Sequence, residues 1–197
     1  MKLYWAPQTR AQRGIWMLEE AGLDYDMVRV DLGSAERMAD ADFARASPMG
    51  KVPALVDGDI AMAESAAICL YLADRYAPGT LAPAADDPER GKYLYWTLYT
   101  PAVVEPAMSE KFNDVEPNRQ RNGWGDFDLM IETWDAALAG SDWILGERFT
   151  AADVMLGSSA NFLSLFGMLP ETDNLAAYAA RCAARPAYRR AVEKGAA

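Results

Sequence analysis

Strand-like segments stop partway along this chain, and that break limits its fold more than any other feature. In the first 78 residues, short apolar or alternating runs recur between helical stretches; beyond about residue 88 the pattern is helical throughout. The break falls in a stretch of proline, glycine, alanine and aspartate, the composition of an interdomain linker. Such a chain folds as a strand-bearing unit followed by an all-helical one.

Leu3-Tyr4-Trp5 reads as a buried strand stopped by Pro7. Ala11, Ile15, Leu18 and Ala21 then recur at helical spacing, and Gly22 stands where a left-handed residue ends a helix. Val28 and Val30 alternate with Arg29 as in a strand, and residues 34–45 are polar and weakly helical. Pro53-Ala54-Leu55-Val56 and Ile60-Ala61-Met62 flank Asp57-Gly58-Asp59, a hairpin pattern in which glycine supplies the positive φ of the turn. A helix over residues 64–76 closes the order βαβαββα. The expected architecture is therefore α/β plus all-α: a domain over residues 1–77, a linker over 78–87 and a helical bundle over 88–197.

In the second part, Phe127, Ile131, Trp134 and Leu138 mark one helical face, ended by Gly140. Thr150-Ala-Ala-Asp153 fits a capping box, with Phe149 and Val154 spaced as a hydrophobic staple, and starts a core helix running from 151 toward 166. A last helix is expected from about 175 to 184, where Arg185-Pro186 interrupts it.

Composition removes whole classes of chemistry. No histidine is present, which excludes Ser-His-Asp and Cys-His catalysis and His-bearing metal sites. Cys69 and Cys182 are far apart in a chain without C-x-x-C, so a dithiol centre and a cysteine zinc site are not expected, and no metal is. A net charge of −10 with no basic run beyond Arg189-Arg190 argues against nucleic acid and anionic membrane surfaces as partners. The first residues lack a signal-peptide apolar core, and no apolar stretch approaches the roughly 20 residues that span a bilayer, so a cytoplasmic location is expected.

Five segments together resemble the cytosolic glutathione transferases of the theta-like and bacterial type. They are Tyr4-Trp5-Ala6-Pro7-Gln8-Thr9-Arg10-Ala11-Gln12-Arg13, Gly50-Lys51-Val52-Pro53-Ala54-Leu55, Glu64-Ser65-Ala66-Ala67-Ile68-Cys69-Leu70-Tyr71-Leu72, the capping-box segment from Gly146 to Asp153, and Arg185-Pro-Ala-Tyr-Arg-Arg190. The resemblance implies a thioredoxin-like first domain that binds glutathione, a helical second domain that supplies an electrophile pocket, a homodimer, and a role in detoxification. The reaction it implies is attack of the glutathione thiolate on a small apolar electrophile. A glutathione-dependent isomerase or dehalogenase, and a non-catalytic ligand-binding or interaction protein on the same fold, are the alternatives.

Glutathione offers a γ-glutamyl carboxylate, an ammonium, a cysteinyl backbone and a thiol, and a site must answer each. Ser65, at the start of a helix, suits the carboxylate, and Glu64 suits the ammonium; the same two residues also serve as a plain helix start. The resemblance makes the Val52-Pro53 bond cis, so that the backbone of Val52 faces the ligand, and lets Lys51 reach the glycyl carboxylate unless it is simply a solvated lysine. A thiol near pKa 8.5 is only about 3% ionised at pH 7, and lowering that by about two units takes roughly 2.7 kcal/mol, within reach of one hydroxyl plus a helix N-terminus.

The resemblance gives that role to Thr9, where theta-like members carry serine. The threonine methyl restricts its rotamer, and the alternative donor is the backbone N–H of Arg10. The Arg10 guanidinium is a second candidate for holding an anion, while Tyr4 reads as core. Tyr93, Trp96 and Tyr99, with Val103, are candidates for the electrophile pocket and equally for helix packing, and Pro101 and Pro106 suggest a kink.

Overall fold

The first apolar run forms β1 (Lys2–Trp5), with Leu3, Tyr4 and Trp5 buried, at the centre of a four-stranded sheet of order β2-β1-β3-β4. The structure is a computed structural model and describes residues 1–196. β2 (Asp26–Arg29) runs parallel to β1 after the crossover helix α1 (Ala11–Ala21). β3 (Ala54–Asp57) and β4 (Ile60–Ala63) form the expected hairpin, with Asp57 opposite Ile60 and Gly58 at φ +60°. α3 (Ser65–Tyr76) completes the unit.

Alternation along the strands sends Tyr4, Ala54 and Val56 to one face, where they meet Val30, Phe43 and Ala46. Phe43 belongs to α2 (Ala41–Ala46), a helix that the polar pattern of residues 34–45 shows only weakly. Asp40 caps α2 by accepting from the Phe43 N–H at 3.0 Å and also receives the Tyr4 hydroxyl at 3.1 Å. On the opposite face Leu3 lies under Gly14 of α1, where an added Cβ would come within 3.1 Å of the leucine.

The helix expected to stop at Arg185-Pro186 does stop there, but another begins: α9 (Pro186–Gly195). Proline ends a helix that it follows and suits the first position of one that it starts, because the N–H it lacks has no partner there. α9 packs on α1, so the segment from Ala184 onward belongs to the compact unit formed by Met1–Ala82, and Pro83–Ala183 is the second unit. The expected helical domain over 88–197 differs from this division at its C-terminal end.

Three carboxylate–cation pairs hold α9 in place. Arg185 grips Glu20 in a bidentate pair at 2.6 and 2.8 Å, and Arg190 and Lys194 both reach Glu19. The Trp16 and Tyr188 rings meet edge to face at 4.8 Å. Burial raises the Glu19 carboxyl, but hydrogen bonds from Lys194, Arg190 and Tyr25 outweigh it and leave the group below its usual 4.5. A folded-state value below the unfolded one means that this contribution to stability is complete above about pH 4.5 and fades as pH falls through the lower, folded value. Acid titration is thus expected to loosen the α1–α9 contact, seen as faster amide exchange in α9 below pH 4.5, and Glu19→Gln should remove that step.

The second unit contains α4 (Arg90–Tyr99), a π-helical segment (Thr100–Val104), α5 (Glu105–Phe112), α6 (Phe127–Ala137), α7 (Ala151–Leu165) and α8 (Asp173–Ala184). Where Pro101 and Pro106 suggest a kink, the chain forms this π segment, in which the Glu105 N–H reaches back five residues to the Thr100 carbonyl. The capping box forms at the start of α7, and Asp153, fully buried, does more than cap. Its carboxylate accepts from the Thr150 N–H (2.9 Å), the Ile144 N–H (2.9 Å) and the Tyr178 hydroxyl (3.0 Å), tying α7 to the loop before it and to α8. Among the described residues no helix is long and apolar enough to cross a membrane.

Candidate active site

Strand register brings the first unit's candidate residues to one end of the sheet. Tyr4 of β1 pairs with Ala54 of β3, and Ala54 pairs with Ala63 of β4. The chain therefore leaves β1 toward Thr9, enters β3 from Lys51-Val52-Pro53, and leaves β4 into Glu64-Ser65, all at the same end of the sheet.

Glu64 and Ser65 stand at the start of α3. Glu64 occupies the N-cap position but makes no side-chain cap bond, and its backbone has φ +70°, ψ 117°. A non-glycine residue held there costs on the order of 1–3 kcal/mol, a strain that typically accompanies a functional constraint. Ser65 is the first helical residue and is buried, yet neither its hydroxyl nor the exposed Glu64 carboxylate has a hydrogen-bond partner among the described residues. The first N–H groups of the helix are thus left without a side-chain cap.

The Val52-Pro53 peptide is cis. Pro53 is buried, and Gly14 of α1 approaches it closely enough that an added Cβ would lie 3.7 Å from the proline Cβ. The Lys51 N–H is held by the Ser47 hydroxyl at 2.9 Å, while its side chain is exposed. Arg37 lies beside this loop, a residue that the sequence pattern did not single out. Its Nη1 donates to the Ser34 carbonyl at 2.6 Å and its Nε to the Gly50 carbonyl at 3.4 Å, leaving Nη2 without a partner among the described residues.

At the head of α1, the Thr9 hydroxyl donates to the Ala6 carbonyl at 2.7 Å and accepts from the Ala11 N–H at 3.2 Å. Its single proton is thus directed back into the loop, and Gln8 just before it has φ +56°. Arg10 is exposed and stands at the N-cap of α1. Tyr4 is core, as read: it is 1% exposed, and burial with the Asp40 hydrogen bond pushes its hydroxyl up to about 12. Burial likewise pushes the Cys69 thiol up to about 12, which makes it inert.

In the second unit Tyr93 is fully buried and Trp96 and Tyr99 nearly so; the Trp96 and Tyr99 rings meet at 4.8 Å, and the Tyr99 hydroxyl donates to the Met130 carbonyl. This burial agrees with the packing reading of the stripe. Val103 is half-buried in the π segment. The open aromatic surface of this unit is elsewhere. Phe112 lies 5.2 Å from Phe166 and Phe162 lies 4.5 Å from Phe166, all exposed together with Leu165. Phe162, Leu165 and Phe166 share the i, i+3, i+4 spacing at the end of α7, the sequence signal that would have found them.

A mixed four-stranded sheet with a cis-proline before β3 and an uncapped helix start beside it defines a thioredoxin-like unit, here joined to a helical one. Residues 9–75 match the family model described as glutathione S-transferase, N-terminal domain, and residues 116–191 the C-terminal domain. The chain belongs to the glutathione S-transferase family. It is 28% identical over 193 residues to the glutathione S-transferase GstA of Escherichia coli O157:H7, covering 94% of each chain. It is 30% identical over 167 residues to the disulfide-bond oxidoreductase YfcG of Escherichia coli K12, covering 77% of this chain and 75% of the relative. Among solved structures it resembles a sphingomonad glutathione S-transferase complexed with glutathione, at 30% identity and TM-score 0.81, with 100% of this chain and 99% of the other covered. Among the described residues no cluster of His, Cys, Asp and Glu is suited to a metal ion.

Proposed function

We propose that this chain binds glutathione at this end of the sheet, ionises its thiol and transfers the glutathionyl group, through its sulfur, to a small apolar electrophile. The observation that carries the reading is the uncapped start of α3, where an unengaged serine hydroxyl, free helix N–H groups and an unengaged glutamate answer the two charges of a γ-glutamyl group. Ser65 and the first N–H groups of α3 take the carboxylate, Glu64 takes the ammonium, and the Val52 backbone pairs with the cysteinyl unit. Arg37 and Lys51 take the glycyl carboxylate.

The Thr9 proton then turns from the Ala6 carbonyl to the sulfur. A hydrogen bond to a charged group is worth about 1.5–3 kcal/mol against about 0.5–1.5 for a neutral one, so the exchange favours the thiolate. Arg10 adds positive charge from the same turn. The thiol proton passes to solvent, the new carbon–sulfur bond forms, and the leaving group departs with the electron pair of the bond that breaks. The exposed rings of Phe112, Phe162 and Phe166 support an apolar electrophile. Tyr95 and Leu98, exposed along α4, support pairing with a second copy of the chain. The reading places the protein in the cytoplasm, where reduced glutathione is at hand, with detoxification as its role.

The deciding experiment is calorimetric titration with glutathione in two buffers of different ionisation enthalpy. Binding with proton release supports the transferase; binding without release points to a carrier, and no binding sinks the assignment of the site. Arg37→Ala is expected to weaken glutathione about tenfold, the loss of one charge-assisted contact. A glutathione ester blocked at the glycyl carboxyl should bind wild type and variant alike.

A further inference from the structure

Two acidic residues end α1 at the wrong pole of its dipole. Glu19 and Glu20 fill the last turn, where a helix C-terminus favours cations, and that turn holds no basic residue. The cations come instead from the far end of the chain. Glu20 is almost fully buried and completely satisfied: one oxygen accepts from Arg185 Nε (2.6 Å) and Trp16 Nε1 (2.8 Å), the other from Arg185 Nη2 (2.8 Å). Arg185 is the residue before the helix-starting Pro186, and proline at N1 restricts its backbone to the extended conformation it has, φ −64° and ψ 132°. Arg190, Lys194 and Tyr25 surround Glu19 in the same strip.

We propose that Arg185 is a positioning residue for the thiol site, setting the seat of α1 from its C-terminal end. This rests on the functional reading above. α1 is a helix of 11 residues with no proline, and the candidate thiol donors stand at its other end, where Thr9 is tied to the Ala11 N–H on one side and to Ala6, the residue after β1, on the other. A helix moves as a rod, so a shift at Glu20 is passed to the Ala11 N–H and to the Thr9 hydroxyl that it orients. Gly195 completes the strip at its last turn, so close to α1 that an added Cβ would come within 2.5 Å of the Gln12 side-chain oxygen. Thus α9 seats α1 along most of its length without contributing a group to the thiol site itself.

The test compares Arg185→Gln, Arg185→Lys and the exchanged pair Glu20→Arg with Arg185→Glu, reading KM for glutathione, kcat, and the pH dependence of kcat/KM. Arg185→Gln is expected to raise KM for glutathione about tenfold and to move thiol ionisation to higher pH, since small misplacements at a reacting centre cost up to about 100-fold. The lysine variant keeps the charge without the fork and should fall between, and the exchanged pair should recover only part of the profile, because an arginine at 20 cannot accept from Trp16 Nε1. If Arg185→Gln lowers only the thermal midpoint and leaves KM and the pH profile at wild-type values, the proposal is overturned. Should the glutamine variant fail to fold, the lysine variant carries the same criterion. The titration of the wild type with glutathione separates the two ideas, because it reports on the site whether or not Arg185 positions it.

Discussion

Asp153→Ala is expected to unfold the helical unit or leave it about 4 kcal/mol less stable, as an effect of this size follows when one buried acceptor serves several buried donors. The alanine removes the partner of the Thr150 N–H, the Ile144 N–H and the Tyr178 hydroxyl together, in a place with no solvent to replace it. Each orphaned buried donor costs about 1–3 kcal/mol, which makes the sum larger than the loss of an ordinary helix cap at about 1 kcal/mol. Asp153→Asn should be milder, since its amide oxygen still accepts while its NH2 turns toward a donor. Denaturant unfolding of the two variants checks the order; an alanine variant within about 1 kcal/mol of wild type would show that the carboxylate acts only as a cap.

The same residue has a pH signature opposite to that of Glu19. Burial raises the Asp153 carboxyl from 3.8 to about 6 against the hydrogen bonds that favour the anion. The folded state therefore holds a proton that the unfolded state has released between about pH 4 and pH 6, and stability contributed here falls as pH rises through that window. Glu19 acts in the reverse sense, losing its contribution as pH falls below about 4.5.

What could be read from the residues alone follows physical range. The capping box at Thr150 and Asp153, the Asp57-Gly58 turn and the Gly22 helix end are local, so their chemistry is written within a few positions. Tyr93, Trp96 and Tyr99 lie on one helical stripe whichever way that stripe faces, and only the packing of α4 against its neighbours decides that they are core. Arg37 was invisible because its place beside Gly50 depends on a turn between 34 and 39 that polar residues do not announce. α9 was missed because Pro186 reads as a stop to the helix before it, while the partners that hold the next one, Glu19 and Glu20, stand more than 160 residues earlier. Of the site, Glu64 and Ser65 were legible as residue types, but not that they would be left without hydrogen bonds, nor that the Glu64 backbone would be strained.

The Thr9 hydroxyl is where that limit has the largest consequence for activity. Thr9→Val, which keeps the shape and removes the hydroxyl, is expected to lower kcat/KM by about 10- to 100-fold, the value of one hydrogen bond to a charged group. It should also raise the apparent pKa of the bound thiol, so that the deficit shrinks as pH rises and the thiolate forms unaided. Thr9→Ser keeps the donor and drops the methyl; freed at χ1, it should match or exceed wild type. The hydroxyl has two bonds in this structure, accepting from the Ala11 N–H and donating to Ala6, and the pH dependence of the valine variant separates bracing of the turn from stabilisation of the thiolate. A loss that is the same at every pH would mean that Thr9 only braces the turn. Full activity in Thr9→Val would move thiolate stabilisation to the backbone N–H of Arg10, where the dipole of α1 adds to whatever a single N–H supplies.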